Sequence, residues 1–277
     1  MTYDLDYRAA SNAISDVVQN RPAPLREFDQ IYMKAGDLVS MAVYSAERLA
    51  GQHVVFIGDG DAVALAVMHL TTQGIVQAGP ESILVLDFDE RIVNSVLRFA
   101  DGYRMEHRIT ARLYNVCDAV PPDIEGRKDA FYTNPPWGAS NGGESVLAFV
   151  ERGIEATHPR GCGLVVLGDD DELQWTQDVR AITQQRALDR GFIVSELTPK
   201  WHIYHLDDAP SLRSCVIGLR GITDVPGPPS QPLDEDRRLN FYGRGSPLIY
   251  RYVRERGTVA YGKAPESTYA VEPIDEI

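Results

Sequence analysis

Several things are scarce in this chain of 277 residues, and each scarcity removes a class of protein. No apolar run approaches the roughly 20 residues that cross a bilayer, so a helical membrane protein is not expected. The start, Met1 to Asp6, is acidic and has no basic region leading into an apolar core. It does not read as a secretory signal, and the expected location is the cytoplasm. Three cysteines, Cys117, Cys162 and Cys215, are too few and too scattered for a disulfide framework or a Cys-x-x-Cys knuckle. Each lies in or beside an apolar segment and reads as a small buried hydrophobe. The six histidines lack metal-ligand spacing, so no metal site is expected. Basic residues are also in deficit: 27 Lys and Arg stand against 40 Asp and Glu, a formal charge of −13. Tight binding to a phosphate backbone needs a basic face, so nucleic acid is not an expected partner; a polycation would be attracted.

What is present is a globular composition, 44% hydrophobic and 24% charged, in an alternating pattern. The spacing predicts a helix over residues 5–19, broken by Pro22 and Pro24, and a second from Asp37 to Leu49. From His53 the period changes. Apolar runs at 53–57, 82–86, 108–114, 130–133 and 163–167 read as buried strands, with helical stretches at 62–70, 90–99, 145–156 and 172–190 between them. Two further strands, 192–197 and 214–219, follow without an obvious helix between them. The expected fold is therefore α/β, a Rossmann-like seven-stranded, mostly parallel sheet with helices on both faces, of the class I methyltransferase kind. The expected division is an N-terminal helical segment over 1–50, the catalytic domain over 51–222, and a C-terminal extension over 223–277 that opens with a Pro-rich stretch. That tail is polar with an aromatic patch at Phe241, Tyr242, Tyr250 and Tyr252. It is left with two roles, covering the site or pairing with a second copy of the chain in a homodimer.

In open α/β sheets, ligands bind at the carboxyl ends of the strands, near the point where strand order reverses. The first strand ends in Gly58-Asp59-Gly60-Asp61. This is not the G-x-G-x-x-G dinucleotide pattern, and it carries no basic residue for phosphate. It is either an ordinary turn or a loop for a cationic ligand, such as the sulfonium and amino group of S-adenosylmethionine. The second strand ends in Asp87, placed to accept from ribose hydroxyls; Asp89 is either a second contact or a helix cap. After the third strand, Asp118 is a candidate for an adenine amino group, or a cap. The fourth strand leads into Asn134-Pro135-Pro136-Trp137-Gly138. Two prolines fix the backbone so that the Asn134 side-chain oxygen and the Pro135 carbonyl can receive an amine, with Trp137 as an aromatic wall. That is orientation catalysis, because the sulfonium is already reactive. Asp169, Asp170, Asp171 and Glu172 after the fifth strand are either a solvated helix start or a holder of ammonium groups. His202, Tyr204 and His205 are candidates for the acceptor side.

With these residues together, residues 28–221 resemble the branched-chain polyamine synthases, the bis-aminopropyl spermidine synthase family. The resemblance rests on Asp29 and Gln30, on Phe56 to Asp61, on Leu86 to Ile92 and on the Pro-Pro loop. It implies aminopropyl transfer from decarboxylated S-adenosylmethionine to spermidine, with Asp59, Asp61, Asp87 and Asp118 at the donor. Asn134, Gln30 and the 169–172 acids would lie near the acceptor. Two positions depart from the family pattern: Gly60 replaces an acid in the first loop, and Asn134 replaces the usual Asp. Asparagine cannot neutralise or deprotonate an amine, and Asn-Pro-Pro-Trp is similar to the loop of amino-methyltransferases. The family's N-terminal winged helix is absent or replaced by the short helix. An N-methyltransferase using S-adenosylmethionine on a small amine or protein side chain is the alternative enzyme, and a non-catalytic nucleoside sensor is a third reading. A DNA adenine methyltransferase would need a basic recognition region.

Overall fold

The computed structural model describes residues 5–206, 209–243, 250–257 and 269–274; the first four residues, on which part of the reading of the N-terminus rests, lie outside them. Helix α1, Tyr7–Asn20, starts where the Asp6 carboxylate accepts from the backbone N–H groups of Arg8 and Ala9, both at 3.0 Å. It ends at extended Arg21, before Pro22. Helix α2, Ala35–Arg48, buries Leu38, Met41, Ala42 and Ser45, the face expected from the spacing. Both helices share one hydrophobic cluster with helix α3, Val63–Thr72, and with Val54, Phe56 and Val85 of the sheet. The N-terminal helices thus cover one face of the sheet.

The sheet strands are β1 (His53–Ile57), β2 (Ser82–Asp87), β3 (Ile109–Leu113), β4 (Lys128–Thr133), β5 (Thr157–Asp169), β6 (Phe192–Ile203) and β7 (Arg213–Gly221). Their order is β3-β2-β1-β4-β5-β7-β6, all parallel except β7, which lies antiparallel between β5 and β6. The order reverses between β1 and β4, and a crevice opens there at the carboxyl ends. Helices α4 (Glu90–Gly102), α5 (Glu144–Ala156) and α6 (Gln174–Asp189) complete the crossovers. Strands β3 and β4 are joined by turns alone. Strands β5 and β6 run past their expected ends at residues 167 and 197, because their polar ends pair with β7, as in Asp169↔Arg213 and His202↔Ser214. An apolar run marks only the apolar part of such a strand and misses polar ends such as Asp169 and His202, which are buried as well.

The extension has structure of its own. Helix α7, Glu235–Leu239, is short; strands β8 (Tyr250–Glu255) and β9 (Tyr269–Pro273) pair antiparallel. The Val253 amide donates to the Phe88 carbonyl at 3.1 Å, which fastens this hairpin over the carboxyl end of β2. Among the described residues no helix is long and apolar enough to cross a membrane.

Packing under the crevice is tight. The Phe131 ring on β4 is fully buried between two glycines; a Cβ at Gly153 would lie 2.3 Å from it and one at Gly163 would lie 2.2 Å from it. Gly163→Ala should therefore lower unfolding free energy by about 1–3 kcal/mol through overpacking. The check is urea denaturation, with a lower midpoint and an unchanged slope.

Candidate active site

A cavity of about 370 Å³ lies at the strand ends where the order reverses. Gly58 takes the first turn at φ 72°, with its amide on the Leu86 carbonyl at 2.8 Å. A Cβ there would come 2.9 Å from the Phe149 ring, so only glycine fits without a shift. The chain then enters α3 with Asp59 as its cap: the carboxylate accepts from the amides of Val63 at 2.8 Å and Ala64 at 3.0 Å. Asp87 bridges the loops after β1 and β2, accepting from the amides of Asp59 and Asp89, each at 2.9 Å. Gly58, Asp59, Gly60, Asp61 and Asp87 all line the cavity, together with Gln30, Asn134, Pro135 and Trp137.

Asp61 and Asn134 meet across the cavity floor. Asn134 Nδ2 donates to Asp61 Oδ2 at 2.7 Å and to the Tyr204 hydroxyl at 3.2 Å, and Trp137 Nε1 donates to Asn134 Oδ1 at 3.2 Å. The carboxamide oxygen expected to receive an amine thus already holds the Trp137 indole. Trp137 and Tyr204 stand edge to face, centroids 4.9 Å apart. Of the acceptor-side candidates, Tyr204 lines the cavity. His202 is buried beside Ser214, with its Nδ1 3.1 Å from the Ser214 hydroxyl, and neither it nor His205 is in the cavity wall.

Other expected site residues are placed elsewhere. Asp89 is wholly buried behind the wall: it caps α4 through the Arg91 amide, clamps the Arg91 guanidinium at 2.9 and 2.5 Å, and accepts from Gln30 Nε2 at 3.0 Å. Its part is to fix Arg91 and Gln30. Asp118 does not line the cavity; it pairs with Arg251 at 2.8 Å, and Tyr114, Asn115 and Val116 take the wall position expected for it. The acids after β5 do not gather as an ammonium holder. Asp169 is buried against Arg180 and accepts from the Lys200 amide, Asp171 pairs with the Lys200 ammonium, and Asp170 accepts from the Glu172 amide. Leu173 and Trp175 reach the cavity instead.

Three wall residues, Asp29, Phe241 and Tyr242, were not marked as site residues by spacing. Asp29, in the left-handed region at φ 56°, lines the cavity beside Phe28; a non-glycine residue held there is the kind of signal that points to a site. Phe241 and Tyr242 of the extension close one wall, and the aromatic patch in the tail was their only trace in the sequence.

The electrostatics have one sign. Asp29, Asp59, Asp61 and Asp87 line the cavity, and among the described residues no Lys, Arg or His does. Burial pushes all four carboxyls above the ordinary range. Asp87 rises to about 7, by burial first and by the neighbouring Asp89 charge second.

The strand order and the crevice define a class I methyltransferase-like α/β fold. Within that class, the chain belongs to the family of the branched-chain polyamine synthase A C-terminal domain, whose model matches residues 10–216. N(4)-bis(aminopropyl)spermidine synthase of Methanocaldococcus jannaschii is 28% identical over 158 residues, 54% of this chain and 40% of that protein. The match therefore spans well under half the length of that relative. The branched-chain polyamine synthase of Thermus thermophilus, solved with N4-aminopropylspermidine and 5'-methylthioadenosine, superposes with a TM-score of 0.68 at 22% identity. That superposition covers 84% of this chain and 69% of the other. Its C9 mutein, in the same complex, superposes equally well at 0.68.

The raised Asp87 carboxyl carries a stability consequence. In the unfolded chain it titrates near its ordinary value of 3.8, and in the folded protein near 7. The folded state then holds the proton more tightly, so this contribution is present below pH 4 and is lost as pH rises through about 7. Asp29, Asp59 and Asp61 act with the same sign. The protein should be less stable at pH 8 than at pH 5 in urea titrations, and Asp87→Asn should shrink that difference. Equal differences in the two proteins would count against the assignment.

Proposed function

We propose that this chain is an amine N-alkyltransferase that moves an aminopropyl group from decarboxylated S-adenosylmethionine to a polyamine. The observation that carries the reading is the cavity with four carboxylates and no basic side chain among the described residues of its wall. S-adenosylmethionine brings a carboxylate, which here would meet like charge and no cation. The decarboxylated donor brings only a sulfonium and an ammonium, and a polyamine brings only ammonium groups. Each cation offsets the cost of a buried carboxylate. The family membership and the fold shared with a synthase solved with N4-aminopropylspermidine support the same substrates.

In this reading Asp87 takes the ribose hydroxyls with its remaining acceptor positions. Gly58 and Gly60 let the backbone approach the donor, and Asp59 faces its positive end. Asp89 acts from behind the wall, and Tyr114, Asn115 and Val116 line the adenine end, with Asp118 paired to Arg251 outside it. Asn134, Pro135 and Trp137 form the acceptor side, with Gln30 and Asp29 opposite. The partner is a small cation and not nucleic acid, given the formal charge of −13. Three unpaired cysteines support a cytoplasmic setting. The Asn134-Pro135-Pro136-Trp137 loop keeps an N-methyltransferase as the second reading.

Calorimetric titration with the decarboxylated donor, S-adenosylmethionine and methylthioadenosine in parallel separates the two. The decarboxylated donor should bind at least about tenfold tighter than S-adenosylmethionine, a difference of about 1.4 kcal/mol. Equal affinities, or the reverse order, would overturn the aminopropyl reading, and methyl incorporation into an amine would establish the second.

A further inference from the structure

Asn141 lies just past the Pro-Pro loop, and its side chain joins that loop to the C-terminal extension. We propose that Asn141 is a positioning residue for the acceptor side: through Ser145 it fixes the Pro136 carbonyl, and through Phe241 it fixes the aromatic wall, so that the attacking amine meets the donor at one set spacing. The proposal deepens the aminopropyltransferase reading and rests on it.

Two consecutive prolines leave the loop short of anchors. Neither Pro135 nor Pro136 has a backbone N–H, so this stretch can be tied down only through its carbonyls and its packing. The Pro136 carbonyl accepts from the Ser145 hydroxyl at 3.0 Å. That hydroxyl in turn accepts from Asn141 Nδ2 at 2.9 Å. Nδ2 also donates to the Phe241 carbonyl, and Asn141 Oδ1 accepts from the Gly143 amide at 2.9 Å. Both Nδ2 hydrogens are thus spent. Asn141 and Ser145 are buried, so a partner lost from this chain of bonds is not readily replaced by water.

What the network holds is the cavity wall. Pro135, Pro136 and Trp137 line the cavity at one end of it, and Phe241 and Tyr242 line it at the other. Two further bonds run alongside: Asn240 Nδ2 donates to the Asn141 carbonyl at 3.2 Å, and the Ser140 hydroxyl donates to the Tyr242 carbonyl at 3.0 Å. The turn that carries Asn141 is itself closed, with the Gly143 amide on the Gly138 carbonyl at 3.0 Å. A Cβ at Gly138 would lie 2.6 Å from the Gly143 Cα, so this turn has little room to shift. Asn141 is not in the cavity wall and acts through the groups it holds. Orientation catalysis is sensitive to such holding, because misplacing a reactant by about 1 Å can cost about 100-fold in rate.

The test measures kcat with decarboxylated S-adenosylmethionine and spermidine, expressed per methylthioadenosine-binding site counted by calorimetry, so that unfolded chain is not counted. Asn141→Asp keeps the size of the side chain and an acceptor for the Gly143 amide, but it gives up both Nδ2 donations. Ser145→Ala removes the tie to Pro136 and leaves Asn141 its bond to Phe241. Asn141→Asp should lower kcat per site by about tenfold or more, and Ser145→Ala by about fivefold or more. Ser145→Ala should also keep its methylthioadenosine affinity within about threefold of the parent value. Both variants act through the Pro136 carbonyl, so the double variant should be no more than about twofold slower than Asn141→Asp; independent roles would multiply to about 50-fold. A loss under about threefold in either single variant overturns the proposal, as do multiplied losses in the double variant. A Ser145→Ala protein whose methylthioadenosine affinity falls in step with kcat overturns it too, because a general loosening of the cavity then explains both. Should Asn141→Asp bind no methylthioadenosine, Ser145→Ala decides alone: a loss of about threefold or more sustains the proposal, and a smaller one overturns it. A parent chain that transfers no aminopropyl group sinks the aminopropyltransferase reading instead, so the two failures are told apart.

Discussion

Carboxylates buried side by side without a cation among them would drive the carboxyl ends of β1 and β2 apart, and the way the chain prevents this organises the crevice. The groups are chained through backbone amides. Asp59 is held by the first turn of α3, Asp87 is held by the amides of Asp59 and Asp89, and Asp89 is held by the first turn of α4 and by Arg91. Helix starts and turn amides supply partial positive charge where a lysine or arginine would have filled the cavity. Only Asp89, outside the wall, receives a full countercharge, and the Arg91–Asp89 pair is almost fully buried. Burial still costs Asp29, Asp59, Asp61 and Asp87 part of their ionisation, and that cost is offset when cations enter.

The extension raises the stakes by closing the crevice. Arg237 pairs with Glu144 and Glu151, and Arg152 binds the Gln231 carbonyl, so residues 230–243 are stapled to α5. This places Phe241 and Tyr242 in the wall. On the opposite side, Asn115 Nδ2 donates to the Arg251 carbonyl at 2.7 Å, and Phe28 packs edge to face on Phe88 and Tyr250. Aromatic walls exclude water, and charge interactions inside them are stronger than at an open surface. The tail thereby forms part of the cavity wall.

Much of this was legible in the sequence for physical reasons. Parallel strands buried on both faces read as unbroken apolar runs, so β1, β2 and β4 stand out, and so do the residues that end them: Gly58 to Asp61, Asp87 and Asn134. Local spacing could not say which acids point into the crevice. Asp118, Asp169 and Asp171 are each spoken for by a partner remote in sequence or across a turn, Arg251, Arg180 and Lys200. A helix cap and a ligand contact also demand the same residue at the same place, which is why Asp89 was open. Asp29 was visible only as part of a resemblance, because its left-handed backbone has no signature in composition. The β8–β9 hairpin was hidden by its polar, half-exposed strands.

The two departures from the family pattern acquire a common logic in this geometry. A Cβ at position 60 would lie 3.2 Å from the Tyr32 ring, and Tyr32 is pinned by its hydroxyl on the Pro22 carbonyl and by Arg21 stacked 4.4 Å over its face. A side chain there would press on a ring that cannot easily yield, so the glycine goes with close packing of residues 21–32 against the loop. At 134 an amide replaces a carboxylate next to Asp61. Both changes remove a negative charge from a floor that already holds Asp59, Asp61 and Asp87, which lowers the repulsion in the empty cavity. Asp59 and Asp87 are bound to backbone amides of α3 and of the loops after β1 and β2, and of these three carboxylates Asp61 is the one hydrogen-bonded to the Pro-Pro loop.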